Sequence, residues 1–121
     1  MKKILVVEDT ENLRDLYRDI YSSVGVATVA AVDFTPEEIR GLLADNPDVD
    51  WVISDGNLES SGFDGVDVVK LIRSLKPLLP IFAVTNDEDL ARRMIAAGAN
   101  MFIQKPMKVN QLLELVSERP S

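Results

Sequence analysis

Two hydrophobic rhythms take turns along this chain: short runs of consecutive apolar residues, and longer stretches where they recur every three or four positions. Residues 3–7 (KILVV) are a β-branched run that predicts a buried strand. Over residues 10–24 the spacing turns helical, with Leu13, Leu16, Tyr17, Ile20, Tyr21 and Val24 on one stripe. Thr10 reads as its N-cap and Gly25 as its stop. Residues 26–32 (VATVAAV) return to strand character. Thr35-Pro36-Glu37-Glu38 then combines a capping threonine, a proline at the first helical position and a glutamate three residues after the cap. Ile39, Leu42 and Leu43 supply that helix's apolar side, and Pro47 closes it.

A third apolar run, Trp51-Val52-Ile53-Ser54, ends on Asp55, and a polar loop follows from Gly56 to about Asp64. Val66, Val69, Leu71 and Ile72 mark a third helix, broken before Pro77. Residues 80–84 (PIFAV) are a fourth strand, and Leu90, Met94, Ile95 and Ala97 mark a helix that stops at Gly98. Residues 100–103 (NMFI) are a fifth strand, and Leu112, Leu115 and Val116 belong to a last helix. Strand and helix alternating with short connections predict an α/β fold, a parallel sheet with helices on both faces. Five strands are too few for an eight-stranded barrel, so the sheet is expected to be open and doubly wound. No repeat, linker or low-complexity tract interrupts the pattern, so residues 1–121 read as a single domain, with no output domain in this chain.

Composition narrows the chemistry. Apolar residues make up 46% of the chain and charged residues 27%, enough of each for a cored globular domain. There is no cysteine and no histidine. Disulfides, thiolate metal sites, histidine-ligated metals and histidine-based triads are therefore excluded, and a reducing cytoplasm is the expected location. No apolar run approaches a membrane span. Met1-Lys2-Lys3 precedes an apolar run too short for a signal peptide, ended by Glu8-Asp9. The formal charge of −7 disfavours direct binding to a nucleic-acid backbone.

In open α/β sheets the ligand sits beyond the carboxyl ends of the strands, near the point where strand order reverses. The residues following the five strands are Glu8-Asp9, Asp33, Asp55, Thr85 and Lys105. If the first and third strands are neighbours, Glu8, Asp9 and Asp55 share one crevice, and Thr85 and Lys105 flank it. Two like charges about 4 Å apart repel by about 4 kcal/mol at an effective dielectric near 20, which a hard divalent cation relieves. Oxygen-only ligands point to Mg²⁺, which bridges readily to phosphate. Lys105 suits a phosphoryl oxygen, Thr85 can donate to another, and an aspartate can act as nucleophile by forming an acyl phosphate. Taken singly, each residue has a plain alternative. Glu8-Asp9 could start a helix, Asp55 could serve a turn before glycine, and Thr85 could cap. Lys105-Pro106 could be a surface pair, and Asp33 lies on the far side of the first strand.

The segments KKILVVEDTE, WVISDGN, FDGVDVVKLIR, LPIFAVTN and AGANMFIQKPM together resemble the receiver domain of two-component response regulators, over nearly the whole chain. The resemblance implies a flavodoxin-like sheet of order 2-1-3-4-5. It implies that Asp55 accepts a phosphoryl group from a sensor kinase phosphohistidine or a histidine phosphotransfer protein. Glu8, Asp9, Asp55 and the backbone carbonyl of Asn57 would then hold Mg²⁺ (or Mn²⁺). Lys105 would pair with the phosphoryl group across a cis Lys105-Pro106 bond, Thr85 would be the switch hydroxyl, and Phe102 the switch aromatic. The switched face would be the fourth helix, fifth strand and fifth helix. It would serve a downstream protein partner or a fused output domain, and could form a phosphorylation-dependent homodimer. Such a module catalyses only its own phosphorylation and dephosphorylation and is not a turnover enzyme.

Three positions depart from the family pattern. Glu59 stands where a proline is usual, the loop before Asp64-Gly65 is about two residues longer, and Asn86 replaces the usual small residue after the switch hydroxyl. They bear on site access, loop rigidity and acyl-phosphate lifetime. The alternative reading is therefore a phosphorylation-deficient receiver-like interaction domain. A flavin site would want phosphate donors, not Glu8-Asp9, after the first strand. Aspartate-based phosphatases would want a second acid where Asn57 stands.

Overall fold

The computed structural model describes residues 2–33, 35–56 and 63–117. Its elements are β1 (Lys3–Val7), α1 (Glu11–Ser22), β2 (Ala27–Ala31), α2 (Pro36–Asp45), β3 (Trp51–Asp55), α3 (Gly65–Leu75), β4 (Ile81–Thr85), α4 (Glu88–Ala97), β5 (Met101–Gln104) and α5 (Val109–Ser117). The five strands form one sheet of order β2-β1-β3-β4-β5, with every pair parallel. This is the doubly wound sheet, in the order expected, and β1 and β3 are neighbours.

Alternation along each strand divides the core in two. Leu5 and Val7 of β1, Val52 of β3 and Ile81 and Ala83 of β4 pack with Ile39 and Leu43 of α2, Val68 and Ile72 of α3 and Leu90 and Met94 of α4. Ile4, Val6, Trp51, Ile53, Phe82 and Val84 point the other way, onto Tyr17 and Tyr21 of α1 and Leu112 and Leu115 of α5. Burial on both faces explains the uninterrupted apolar runs of β1, β3 and β4. Trp51 and Tyr21 meet edge-on with ring centroids 6.4 Å apart, and the Tyr21 hydroxyl donates to the Leu112 carbonyl at 3.0 Å.

Helix starts follow local chemistry. Thr35 Oγ1 accepts from the Glu38 amide at 3.1 Å, and the Glu38 carboxylate turns back to the Val32 and Asp33 amides at 2.8 and 3.0 Å. Asp64 and Asp67 form a reciprocal capping box at α3, and Asp87 accepts from Asp89 and Leu90 at α4. Thr10 occupies the cap position of α1, but its side chain makes no capping bond; its own amide donates to Glu8 Oε2 at 3.1 Å. The acid ahead of the helix thus holds the backbone of the cap residue, while the threonine hydroxyl makes no bond to the first-turn amides. Val24, expected on the helical stripe, lies past the end of α1 and is exposed, as is Leu16 within the helix. The chain leaves α1 through Gly25 at φ 77°, a conformation that favours glycine.

One guanidinium ties three segments together. Arg73, near the end of α3, donates to the carbonyls of Lys76, Pro77 and Leu79 at 3.2, 2.9 and 2.8 Å. It also donates to the Gly98 carbonyl at 3.1 and 2.7 Å and to Asn100 Oδ1 at 2.9 Å. The α3–β4 and α4–β5 connections are thereby fastened to α3 at the end of the sheet opposite the carboxyl termini of the strands.

Candidate functional site

The parallel register carries the strand ends to one edge of the sheet. Val7 pairs with Ser54 and Asp55 with Val84, so the residues after β1, the end of β3 and the end of β4 are adjacent. Lys105 follows β5, and its amide donates to the Thr85 carbonyl at 3.1 Å. Glu8, Asp55 and Thr85 are buried, and Asp9 and Lys105 are half-buried.

Charges meet closely there. Lys105 Nζ lies 3.0 Å from Asp55 Oδ2 and 3.6 Å from Glu8 Oε1. One carboxylate oxygen from each of Glu8, Asp9 and Asp55 lies within 4.8 Å of the others. Among the described residues, the Lys105 ammonium thus faces the three acids Glu8, Asp9 and Asp55. Among the described residues Glu8 Oε1, which is buried, has no hydrogen-bond partner and meets only the longer ion pair to Lys105. Burial first, then the charge of Asp55, raises the Glu8 carboxyl from 4.5 to about 7, against the opposing pull of the Thr10 amide and Lys105. Burial alone would lower the Lys105 pKa, but the hydrogen bond and charge of Asp55, with Glu8 behind it, leave it above its usual value. An all-oxygen donor set, an excess of acid and a carboxylate oxygen lacking a hydrogen bond fit a hard divalent cation held by Glu8, Asp9 and Asp55.

The surroundings hold these groups in place. Arg14 of α1 donates to the Glu8 carbonyl at 2.8 Å, fixing the acidic turn. Thr85 Oγ1 accepts from the Asp87 amide at 3.1 Å, which links the end of β4 to the cap of α4. The Lys105-Pro106 bond is cis, as expected. Tyr17 is buried beneath the site and its hydroxyl lies 3.4 Å from Met107 Sδ. Burial first, then the charges of Glu8 and Asp55, pushes its phenol well above the usual range. Beside it, a cavity of about 400 Å³ is lined by Leu13, Tyr17, Ile20, Met107 and Leu112, with Asn86 and Lys105 on its rim.

The structure brings Glu8, Asp9, Asp55 and Lys105 together and sets Thr85 next to them. Asp33 is exposed at the end of β2, beyond β1, and is not among them. Phe102 is half-buried on β5 and lines a cavity of about 340 Å³ with Glu88, Ala91, Arg92 and Ile95 of α4. Asn57 and Glu59 lie outside the described residues. Sequence reasoning missed Gly65. A Cβ there would fall 2.5 Å from Gly56 Cα and 2.8 Å from the Asp55 carbonyl oxygen, so α3 begins in direct backbone contact with the strand end bearing Asp55. The available signal was a glycine opening a helix directly after its capping aspartate.

The chain is similar to known proteins in sequence and fold. The sequence pattern of the "Response regulator receiver domain" family matches residues 4–117. The transcriptional regulatory protein YxdJ of Bacillus subtilis is 32% identical over 98% of this chain and 50% of its own length. The chemotaxis protein CheY of Pseudomonas aeruginosa is 26% identical over 96% of this chain and 94% of its own. The crystal structure of the receiver domain of NtrX from Brucella abortus superposes with a TM-score of 0.83 at 30% identity, covering 94% of both chains. The chain spans half the length of YxdJ and 23% of an NtrX-like protein of Rickettsia bellii. No helix among the described residues is long and apolar enough to cross a membrane.

Proposed function

Because this chain belongs to the response regulator receiver family, a phosphorylation-dependent switch of two-component signalling, we propose that Asp55 is its phosphoacceptor. The donor is the phosphohistidine of a sensor kinase or of a histidine phosphotransfer protein. The observation that carries this reading is the Asp55–Lys105 pair at 3.0 Å beside the Glu8, Asp9 and Asp55 cluster. An Asp55 oxygen attacks phosphorus, a P–O bond forms, and the P–N bond to the donor imidazole breaks, leaving its electron pair on nitrogen. Lys105 holds a phosphoryl oxygen as a point charge, and Thr85 donates its hydroxyl to another. Glu8, Asp9 and Asp55 would hold Mg²⁺ or Mn²⁺, with the backbone carbonyl of Asn57 as the proposed fourth protein ligand. When bound, the cation supplies charge neutralisation between carboxylates and phosphoryl oxygens. Attack of water on the acyl phosphate later restores Asp55 and releases inorganic phosphate, so the chain catalyses only its own modification.

The new group adds roughly −1.5 to −2 charges beside Lys105. Turning the Thr85 hydroxyl toward it releases the Asp87 amide that the hydroxyl now accepts from. The cap of α4 is therefore where the site reaches the α4, β5 and α5 face, and Phe102 on β5 borders the same space. That face serves a downstream protein partner or a fused output domain, without direct nucleic-acid contact by this domain. Residues 1–121 act as one cytoplasmic switch unit.

The test is intact mass after incubation with Mg²⁺ and acetyl phosphate. A single added phosphoryl group, lost in Asp55→Asn and on chelation of the metal, is expected. No adduct in the unsubstituted protein under these conditions refutes the reading.

A further inference from the structure

The peptide following Asp55 is packed from two sides. The Gly56 amide donates to the Val84 carbonyl at 3.0 Å, and the Gly56 carbonyl accepts from the Gly65 amide at 3.3 Å. On one side, the start of α3 lies against it so closely that Gly65 has no room for a Cβ. On the other side stands α4. A Cβ on Gly56 would fall 2.8 Å from Leu90 Cδ2, 3.1 Å from Leu90 Cγ and 3.0 Å from Met94 Sδ. Leu90 and Met94 are both buried, so they rest on the Gly56 backbone with little other space to occupy.

Helix α4 therefore meets the site at two separate places, the end of β4 and the residue after Asp55. One is its N-terminus, where the Asp87 amide meets Thr85 Oγ1 at 3.1 Å. The other is its inner face, where Leu90 and Met94 lie on the residue next to the carboxylate. The second contact needs no hydrogen bond and no movement of Thr85. It is steric, and packed interiors transmit small displacements because they hold few voids.

We propose that Gly56 is a positioning residue for phosphoryl transfer: through it, α4 sets the placement of the Asp55 carboxylate, independently of Thr85. This rests on the reading of Asp55 as phosphoacceptor and deepens it. Coupling between sites is reciprocal. A partner that shifts α4 from its outer face changes the reactivity of Asp55 through Gly56, and phosphorylation in turn displaces Leu90 and Met94.

The opposing parts of the contact differ in stiffness. A Cβ on Gly65 would meet backbone, which cannot yield, whereas a Cβ on Gly56 would meet side-chain atoms of α4, which can. Gly56→Ala is thus expected to fold with α4 side chains pushed outward. Leu90→Ala removes two of the three atoms that the new methyl would meet, leaving Met94 Sδ at 3.0 Å, so the two substitutions should largely compensate.

The experiment measures the rate of acetyl phosphate uptake at Asp55 by intact mass, with Mg²⁺, on the unsubstituted protein, Gly56→Ala, Leu90→Ala and the double variant. Urea titration first establishes conditions where each is fully native. Gly56→Ala should slow uptake about tenfold, because sub-ångström misplacement of a reacting group costs rate steeply. The double variant should recover to within about threefold of the unsubstituted rate, since contacting residues are energetically coupled. An unchanged rate in Gly56→Ala, or a double variant no faster than it, overturns the proposal.

A second measurement leaves Gly56 unaltered. With methionine methyls labelled, the Met94 signal should keep more than half of its phosphorylation-induced shift in Thr85→Ala. Loss of that shift, or failure of Thr85→Ala to form the adduct, also overturns independence from Thr85. Absence of an adduct in the unsubstituted protein would instead remove the phosphoacceptor reading itself.

Discussion

Glu8 offers the sharpest test of the electrostatics. Its carboxyl is raised from 4.5 to about 7 by burial first and by the charge of Asp55 second. Below pH 4.5 the group is protonated in both folded and unfolded chains and costs nothing. Between pH 4.5 and about 7 the unfolded chain releases its proton first, so the stability this group contributes is lost as pH rises. At about 1.4 kcal/mol per pH unit, the loss across that interval is on the order of 3 kcal/mol. Glu8→Gln keeps the shape and abolishes the titration. Lys105 still has Asp55 at 3.0 Å in the variant, so little is lost from the 3.6 Å pair to Glu8. In chelator at pH 8, Glu8→Gln should be more stable than the unsubstituted protein by about 3 kcal/mol, and at pH 4.5 the two should be equal. Urea unfolding followed by the fluorescence of buried Trp51 measures both curves. Carboxylates remote from the site titrate alike in both proteins and cancel in the difference. Adding Mg²⁺ at about one hundred times its dissociation constant should return about 2.7 kcal/mol to the unsubstituted protein and much less to Glu8→Gln. Parallel pH curves for the two proteins would refute the assignment of a strained buried carboxyl at this position.

Gly65→Ala should cost about 2 to 3 kcal/mol in urea unfolding, because its Cβ would meet backbone atoms of Asp55 and Gly56 at 2.8 and 2.5 Å; a loss below about 0.5 kcal/mol would mean α3 can retreat freely. Arg73→Ala should cost more than about 2 kcal/mol, and Arg73→Lys should recover little, since an ammonium cannot span the carbonyls of Lys76, Pro77, Leu79 and Gly98 at once. Thermal unfolding of the two variants checks this, and full rescue by lysine would show that charge alone matters. Tyr21→Phe removes the hydroxyl that donates to the Leu112 carbonyl at 3.0 Å and should cost about 1 kcal/mol, read as faster amide exchange in α5.

What could be read in the sequence follows from what burial on both faces demands. Runs such as Ile4 to Val7 can be satisfied only inside a covered parallel sheet, and that sheet sends its strand ends to one edge. Glu8, Asp9, Asp55, Thr85 and Lys105 were therefore legible as the residues that follow the strands, and the family resemblance supplied the strand order that groups them. Three-dimensional packing was not legible. Gly56 read as a turn glycine, yet its hydrogen-for-methyl economy serves Leu90 and Met94, more than thirty residues away in the chain. Arg73 could not be singled out, since none of its acceptors announces itself in sequence. Thr10 obeyed the rule for a cap residue by position but makes no side-chain capping bond, and its own amide is held by Glu8 instead.

The Arg73 fastening has a mechanical consequence. Helix α4 has ten residues and is about 15 Å long. Its far end is pinned through Gly98 and Asn100 to α3, while its near end depends on Asp87 and Thr85. A rod held at one end and pushed at the other swings instead of sliding. If Asp55 is phosphorylated as proposed, the displacement along α4 should be largest around Glu88 and Arg92 and fade toward Ala97. A partner reading this helix gains the most discrimination by gripping its first turn. Cutting the fastening with Arg73→Ala should turn the graded swing into a uniform drift, visible as equal rather than tapering amide-exchange changes along α4.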